Sequence, residues 1–248
     1  MYKTEKEIMG QPQSLKQTYE LILSLKEQII DFFKNTKKVV FAGCGSSFSL
    51  CKSAAVSMNV HTDKTAFAVA AGDAMINFDY YENIFKDAVI VAPSRSGSTS
   101  EVVNLVKLAK EKFGSKCLCI CAKEKSALSE LSELSIELPW AFDESVCQTR
   151  TVTNLYTVNL TLAALVSGKK EILNDIEKAV SQIASFIESN KELCKTIGNS
   201  AQWNKVVVLA DAEVEGIAEE GSLAFKEICQ LPSNYYHVLD SRHGPMVL

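Results

Sequence analysis

Apolar residues recur along the chain at two periods, and the switching between them predicts the architecture. Leu15, Tyr19, Ile22, Leu25, Ile29 and Phe33 fall at helical spacing and predict one long leading helix. Short apolar runs follow at residues 38–42, 65–70, 88–92, 116–121 and 135–138, and Pro139 ends the last. Amphipathic segments at 47–59, 102–113 and 127–131, and a helical or irregular piece near 73–78, separate these runs. Strands alternating with helices imply parallel pairing through right-handed crossovers. The predicted fold class is therefore α/β, with a five-stranded parallel doubly wound, flavodoxin-like sheet. In such sheets a ligand sits beyond the carboxyl ends of the strands.

Downstream, residues 151–168 form an uncharged helix. Four threonines and two asparagines make it a buried helix rather than a membrane span. Ile172, Ile176, Val180, Ile183 and Ile187 mark the stripe of a further helix. A strand at 205–210 and a helix at 213–229 repeat the opening step of the sheet, and Leu231-Pro232-Ser233-Asn234 ends that helix. The apolar Met246-Val247-Leu248 reads as the start of another strand. The expected division is a leading helix (1–35), a first domain (36–168), a connecting helix (169–200) and the incomplete beginning of a second domain (201–248). The expectation follows that these residues are the first part of a longer protein. A chain ending at Leu248 would then show little catalysis and an exposed apolar sheet edge.

Composition narrows the class. With 248 residues, 47% hydrophobic and 23% charged, the chain can build a sizeable core. A net charge of −4 without a basic cluster argues against nucleic acid as partner. Residues 1–7 hold no apolar stretch for a signal peptide. Eight cysteines then fit free thiols in a reducing cytosol, so a cytoplasmic protein is expected, with no membrane partner. Cys117, Cys119 and Cys121 share one strand face as small hydrophobes, without the spacing or histidine of a metal site. No metal and no cofactor are expected.

The candidate chemistry sits in two hydroxyl-rich loops. Ser94-Arg95-Ser96-Gly97-Ser98-Thr99-Ser100 joins the third strand to its helix. A helix start offers unpaired N–H groups and the positive end of the macrodipole. One hydroxyl suffices for an N-cap. Five hydroxyls around Gly97 instead suit a phosphate monoester. Gly43-Cys44-Gly45-Ser46-Ser47 does the same after the first strand: glycines permit close backbone approach, and serines add donors. It lacks the third glycine of a dinucleotide fingerprint and the Gly-Lys-Ser/Thr of a Walker loop. Two readings of Arg95 stay open, a phosphate ligand or an arginine facing solvent or a partner subunit. Glu220, Ala224 and Glu227 share one helix face and could line a pocket, although exposed glutamates are the rule; Lys226 points elsewhere. Among the histidines, His61 reads as a surface or helix-end residue and His237 as semi-buried and satisfied. His243, in Arg242-His243-Gly244-Pro245, differs from these in being held by a Gly-Pro turn just downstream of the glutamate helix.

In order and spacing these motifs resemble the sugar-isomerase (SIS) domain family, in particular the isomerase half of glucosamine-6-phosphate synthase and its glutaminase-free relatives. The matching residues begin with Glu7-Ile8-Met9-Gly10-Gln11-Pro12 and the two serine loops. They continue with Ser145-Val146-Cys147-Gln148-Thr149-Arg150-Thr151, Glu220 through Glu227, and Arg242-His243-Gly244-Pro245. The resemblance implies that Ser47, Ser94, Arg95, Ser96 and Thr99 hold a sugar phosphate. Gly45, Ser46, Val146 and Gln148 would line the pocket. It implies that Glu227 moves a proton between C1 and C2, that His243 opens the ring, often from a partner subunit, and that Glu220 binds substrate or assists. A homodimer with shared active sites is implied too. The chain departs from the synthase pattern at Ala224, which replaces a catalytic lysine, and at Ala210-Asp211-Ala212, which replaces a glycine-rich loop. No glutaminase domain is expected ahead of the fold, nor, with it, glutamine-fed amination. The expected function is isomerisation, deamination or deglycation of a 6-phosphorylated ketose, aldose or amino sugar. The alternative is a non-catalytic phosphosugar-sensing module.

Overall fold

A computed structural model describes residues 2–200 and 202–247. Met1, Ala201 and Leu248, which belong to the expected leading, second-domain and terminal apolar segments, lie outside the described residues. Five strands, β1 (Lys38–Gly43), β2 (Thr65–Ala70), β3 (Ala88–Ser94), β4 (Cys117–Cys121) and β5 (Leu134–Glu137), form one sheet in the order β2-β1-β3-β4-β5. All four pairings are parallel. This is the doubly wound sheet expected from the alternating pattern. Strand order reverses between β1 and β3, so the crevice of the sheet opens where those two strands end.

Both faces of the sheet are covered, which is why its strands read as continuous apolar runs. Val39, Phe41, Val89, Val91, Leu118 and Ile120 point to one face. There they meet α2 (Gln11–Ser24), α3 (Lys26–Phe33), α4 (Ser46–His61) and α9 (Arg150–Ser167). Val40, Ala42, Ile90, Ala92, Cys117, Cys119 and Cys121 point to the other. That face is covered by α5 (Ala71–Ile76), α6 (Phe78–Phe85), α7 (Ser100–Phe113) and α8 (Ala127–Leu131). The three strand cysteines are thus buried core thiols, and α9 is the buried helix expected from its uncharged sequence. No helix among the described residues is long and apolar enough to cross a membrane.

The leading segment is three helices rather than one: α1 (Lys3–Met9), α2 and α3. Gly10 separates the first two, with Pro12 in the opening turn of α2. Leu25, at φ −94° and ψ 5°, bends the chain between the others. The stripe survives the bend, because Leu15, Tyr19, Ile22, Ile29 and Phe33 are all buried. After α9 comes the 31-residue α10 (Lys170–Ser200), of which only Ile176 is buried among its described residues.

Next come β6 (Val206–Leu209), a short 3-10 turn at Ala212–Val214 and α11 (Glu215–Ile228). A strand the apolar pattern did not indicate follows: β7 (Ser233–Tyr236) pairs in parallel with β6. Its Ser233 hydroxyl is buried against Ser222 of α11, so a polar residue fills an inward position. The expected terminal strand is absent from the described residues: Pro245–Val247 is a 3-10 turn, as a proline without a ladder N–H allows.

Candidate functional site

Both serine loops lie at the reversal point of the sheet. Gly45 opens α4 at φ 55° and ψ −130°, a conformation essentially reserved to glycine. Gly43 admits no side chain, because a Cβ there would lie 2.8 Å from the Ser47 carbonyl carbon. Ser46 and Ser47 are buried in the first turn of α4, and no side chain caps that helix.

The second loop has its own brace. Gly97 turns at φ 60°, and a Cβ on it would lie 2.1 Å from the Ser126 hydroxyl. Its carbonyl accepts the Leu128 N–H at 2.9 Å. The buried Ser94 hydroxyl accepts the Gly97 N–H at 3.0 Å, and Ser96 Oγ accepts the Ser98 N–H at 3.2 Å. Thr99 is the N-cap residue of α7, yet no side-chain capping bond is made there. The loop hydroxyls are therefore not consumed as caps, and Ser96 and Thr99 stay partly open to solvent.

Arg95 is half-buried in the second loop. Its guanidinium donates to the carbonyls of Ser145 and Val146 at 2.8 and 3.0 Å, which joins the serine loop to the turn before α9. Val146 accordingly faces the site through its backbone, while its side chain is 90% exposed. Asp143 supports the same turn by accepting the N–H groups of Thr149 and Thr151 at 2.8 and 2.9 Å. Gln148 carries a buried side-chain oxygen without a hydrogen-bond partner among the described residues.

The carboxylates arrive on α11, which docks on α4 through backbone contact. A Cβ at Gly216 would lie 1.9 Å from the Ser49 carbonyl oxygen, and the Gly216 N–H donates to Ser53 Oγ at 3.1 Å. Glu213 accepts from Ser57 at 2.7 Å and contacts His61 Nε2 at 2.8 Å, while Lys52 pairs with Glu219 at 2.8 Å. His61 is thus a docking residue rather than a helix cap. His237 is more exposed than its neighbours Tyr236 and Val238 suggested, with Asp211 at 3.1 Å.

This docking buries Glu220 to 6% exposure beside Ser46, and its Oε2 has no partner among the described residues. Burial pushes the Glu220 carboxyl up to about 7; Ser46 opposes the shift, and Glu227 and Glu219 add to it. Glu227 lies two turns on and is exposed. Burial, and then the facing Glu227 carboxylate, push the Cys147 thiol up, with Arg95 pulling the other way. Glu220, Glu227, Cys147, Arg95 and Ser46 are thus brought to one place. His243 is exposed at the end of a 3-10 turn (Asp240–Arg242); its backbone N–H donates to the Asp240 carbonyl at 2.9 Å, and its ring makes no hydrogen bond among the described residues. Sequence reasoning assigned no role to Glu7, although 5% exposure and three bonds to Glu144 and Ser145 tie it to the turn. Its place in the Glu7–Pro12 motif was the available signal.

The family model for the SIS domain matches residues 32–166, more than half of the chain. The chain belongs to the SIS domain family. It is 27% identical over 249 residues to an isomerizing glutamine–fructose-6-phosphate aminotransferase of Sulfurisphaera tokodaii, covering 98% of this chain and 40% of that protein. The same enzyme of Clostridium perfringens is 27% identical over 262 residues, with 98% and 42% covered. The chain thus spans about two fifths of the length of these curated relatives. Among solved structures, tagatose-6-phosphate ketose/aldose isomerase from Escherichia coli superposes with a TM-score of 0.88 at 23% identity, covering 100% of this chain and 70% of that one. Glucosamine-6-phosphate deaminase from Thermotoga maritima gives 0.84 at 24% identity, with 100% and 73% covered. At those identities the likeness speaks for the fold.

Proposed function

We propose that the chain binds a 6-phosphorylated ketose, aldose or amino sugar and acts on it by proton transfer between C1 and C2, leading to isomerisation, deamination or deglycation. The observation that carries this reading is the pair of uncapped serine loops at the sheet's reversal point, with the buried Glu220 and its unpartnered oxygen beside Ser46 of the first. N–H and O–H donors at the starts of α4 and α7 hold the phosphate, with Ser47, Ser94, Ser96 and Thr99 contributing. Phosphate binding supplies remote energy that fixes the reacting carbons. The relatives named above are enzymes of fructose-, tagatose- and glucosamine-6-phosphate, which supports the same substrate class.

In this reading Glu227 removes the proton from the carbon beside the carbonyl and returns it to the neighbouring carbon. Glu220, with its carboxyl near 7, donates a proton to the carbonyl oxygen as the enediol or enolamine forms and recovers one as it collapses. His243 opens the ring, reaching in from a second copy of the chain in a homodimer with shared sites. Ala224 leaves no ammonium on this helix face, so the lysine step of the synthase is not part of the scheme.

The test is turnover of fructose-6-phosphate, glucosamine-6-phosphate and fructosyl-amino-acid phosphates followed by mass spectrometry, with Glu227→Gln as control. An enzyme loses at least about 100-fold in rate in this variant while keeping its affinity. Tight phosphosugar binding with no turnover of any candidate would make the protein a sensor instead.

A further inference from the structure

The turn that meets Arg95 is held from the far end of the chain. Glu7 of α1 accepts the backbone N–H groups of Glu144 and Ser145 on one carboxylate oxygen, at 2.8 and 3.1 Å. Its other oxygen accepts the Ser145 hydroxyl, which also receives a bond from Thr4 at 3.2 Å. Lys3 adds an ion pair to Glu144 at 3.3 Å. With its backbone N–H groups so held, the turn directs the carbonyls of Ser145 and Val146 at the Arg95 guanidinium. Cys147, the next residue, faces Glu227. One buried carboxylate is therefore bonded to a turn that touches the serine loop on one side and the α11 acid on the other.

We propose that Glu7 is a positioning residue for the candidate phosphosugar site. It acts through the 144–148 turn, holding Arg95 and hence the Ser94–Thr99 loop in a ligand-ready geometry. The ligand in this inference rests on the function proposed above; the bracing of the turn does not. A carboxylate satisfied by two N–H groups and a hydroxyl is a costly group to bury unless those donors stay in place. Removing it frees two backbone N–H groups of a turn that belongs to neither helix nor sheet, and the turn then samples other conformations. Arg95 loses its fixed acceptors at the same moment.

Hydrogen exchange and fructose-6-phosphate titration of the wild type, Glu7→Gln, Glu7→Ala and Ser145→Ala test this. In Glu7→Ala, protection at the Glu144 and Ser145 amides should fall at least tenfold, while β1 and β3 amides keep theirs. The dissociation constant should rise about tenfold. Glu7→Gln, which keeps an acceptor for the two N–H groups, should restore all but two- to threefold of that loss. Should Glu7→Ala not fold, Glu7→Gln and Ser145→Ala carry the same comparison with smaller shifts. If Glu7 acts through Arg95, adding Glu7→Ala to Arg95→Ala should weaken binding by less than about twofold more. A wild type that binds while the Glu7 variants bind equally well overturns the positioning role, as do losses that multiply independently with Arg95→Ala. A wild type that binds none of these sugar phosphates defeats the functional reading itself, a different result.

Discussion

The two parts of the chain that meet at the site differ in how they are buried. Strands β3 and β4 are buried at every position, with helices on both faces of the sheet. The β6–β7 pair has α11 against it, yet Val207 and Leu209 of β6 remain 46% exposed. Both serine loops grow from the first part, so their geometry is set by a packed core. The carboxylates ride on the second, whose α11 is held through Gly216, Glu213 and Glu219. The serine loops are built into the packed fold, whereas the placement of the acids depends on the docking of α11 on α4.

That contrast is sharpest in core truncation. Phe41→Ala, in the centre of β1, should cost about 3–5 kcal/mol, whereas Leu209→Ala in β6 should stay within about 0.5 kcal/mol. Urea unfolding of the two variants measures the difference, and equal losses would erase the distinction.

The buried acid gives the next largest effect. Glu220 has its carboxyl raised from 4.5 to about 7, so the folded state holds this proton more tightly than the unfolded state. Its contribution is neutral below about 4.5, becomes destabilising as pH rises through the window to 7, and levels off above it. At 1.36 kcal/mol per unit, the full penalty is about 3 kcal/mol. Unfolding at pH 5 and pH 8 should therefore show Glu220→Gln gaining on the wild type by most of that amount at the higher pH. A gap that does not change with pH would place Glu220 in water.

Gly216→Ala tests the docking itself. Its Cβ would collide with the Ser49 carbonyl, which should cost about 1–3 kcal/mol. Hydrogen exchange should rise across α11 while the five-stranded sheet stays protected, and uniform loosening of both parts would contradict the comparison.

What the sequence disclosed follows the same division. The sheet was legible because strands buried on both faces read as short apolar runs, and the serine loops because five hydroxyls exceed what a cap needs. The burial of Glu220 was not legible: a glutamate pair on one helix face reads as solvated until Gly216 is seen to let α11 lie against α4. Strand β7 escaped because Ser233 and Asn234 carry no apolar pattern, and the bend at Leu25 has neither glycine nor proline to mark it. Arg95 and Glu7 are bonded to a turn 50 and 137 residues away, a pairing that no local spacing encodes.

The central claim, that the serine loops hold the phosphate of a sugar, is tested most directly by calorimetric titration with fructose-6-phosphate and fructose. The account predicts binding that requires the phosphate and weakens at least tenfold in Ser96→Ala, the loss expected from about 1.4 kcal/mol of hydrogen bonding. Equal affinity for fructose, or an unchanged dissociation constant in that variant, would contradict it.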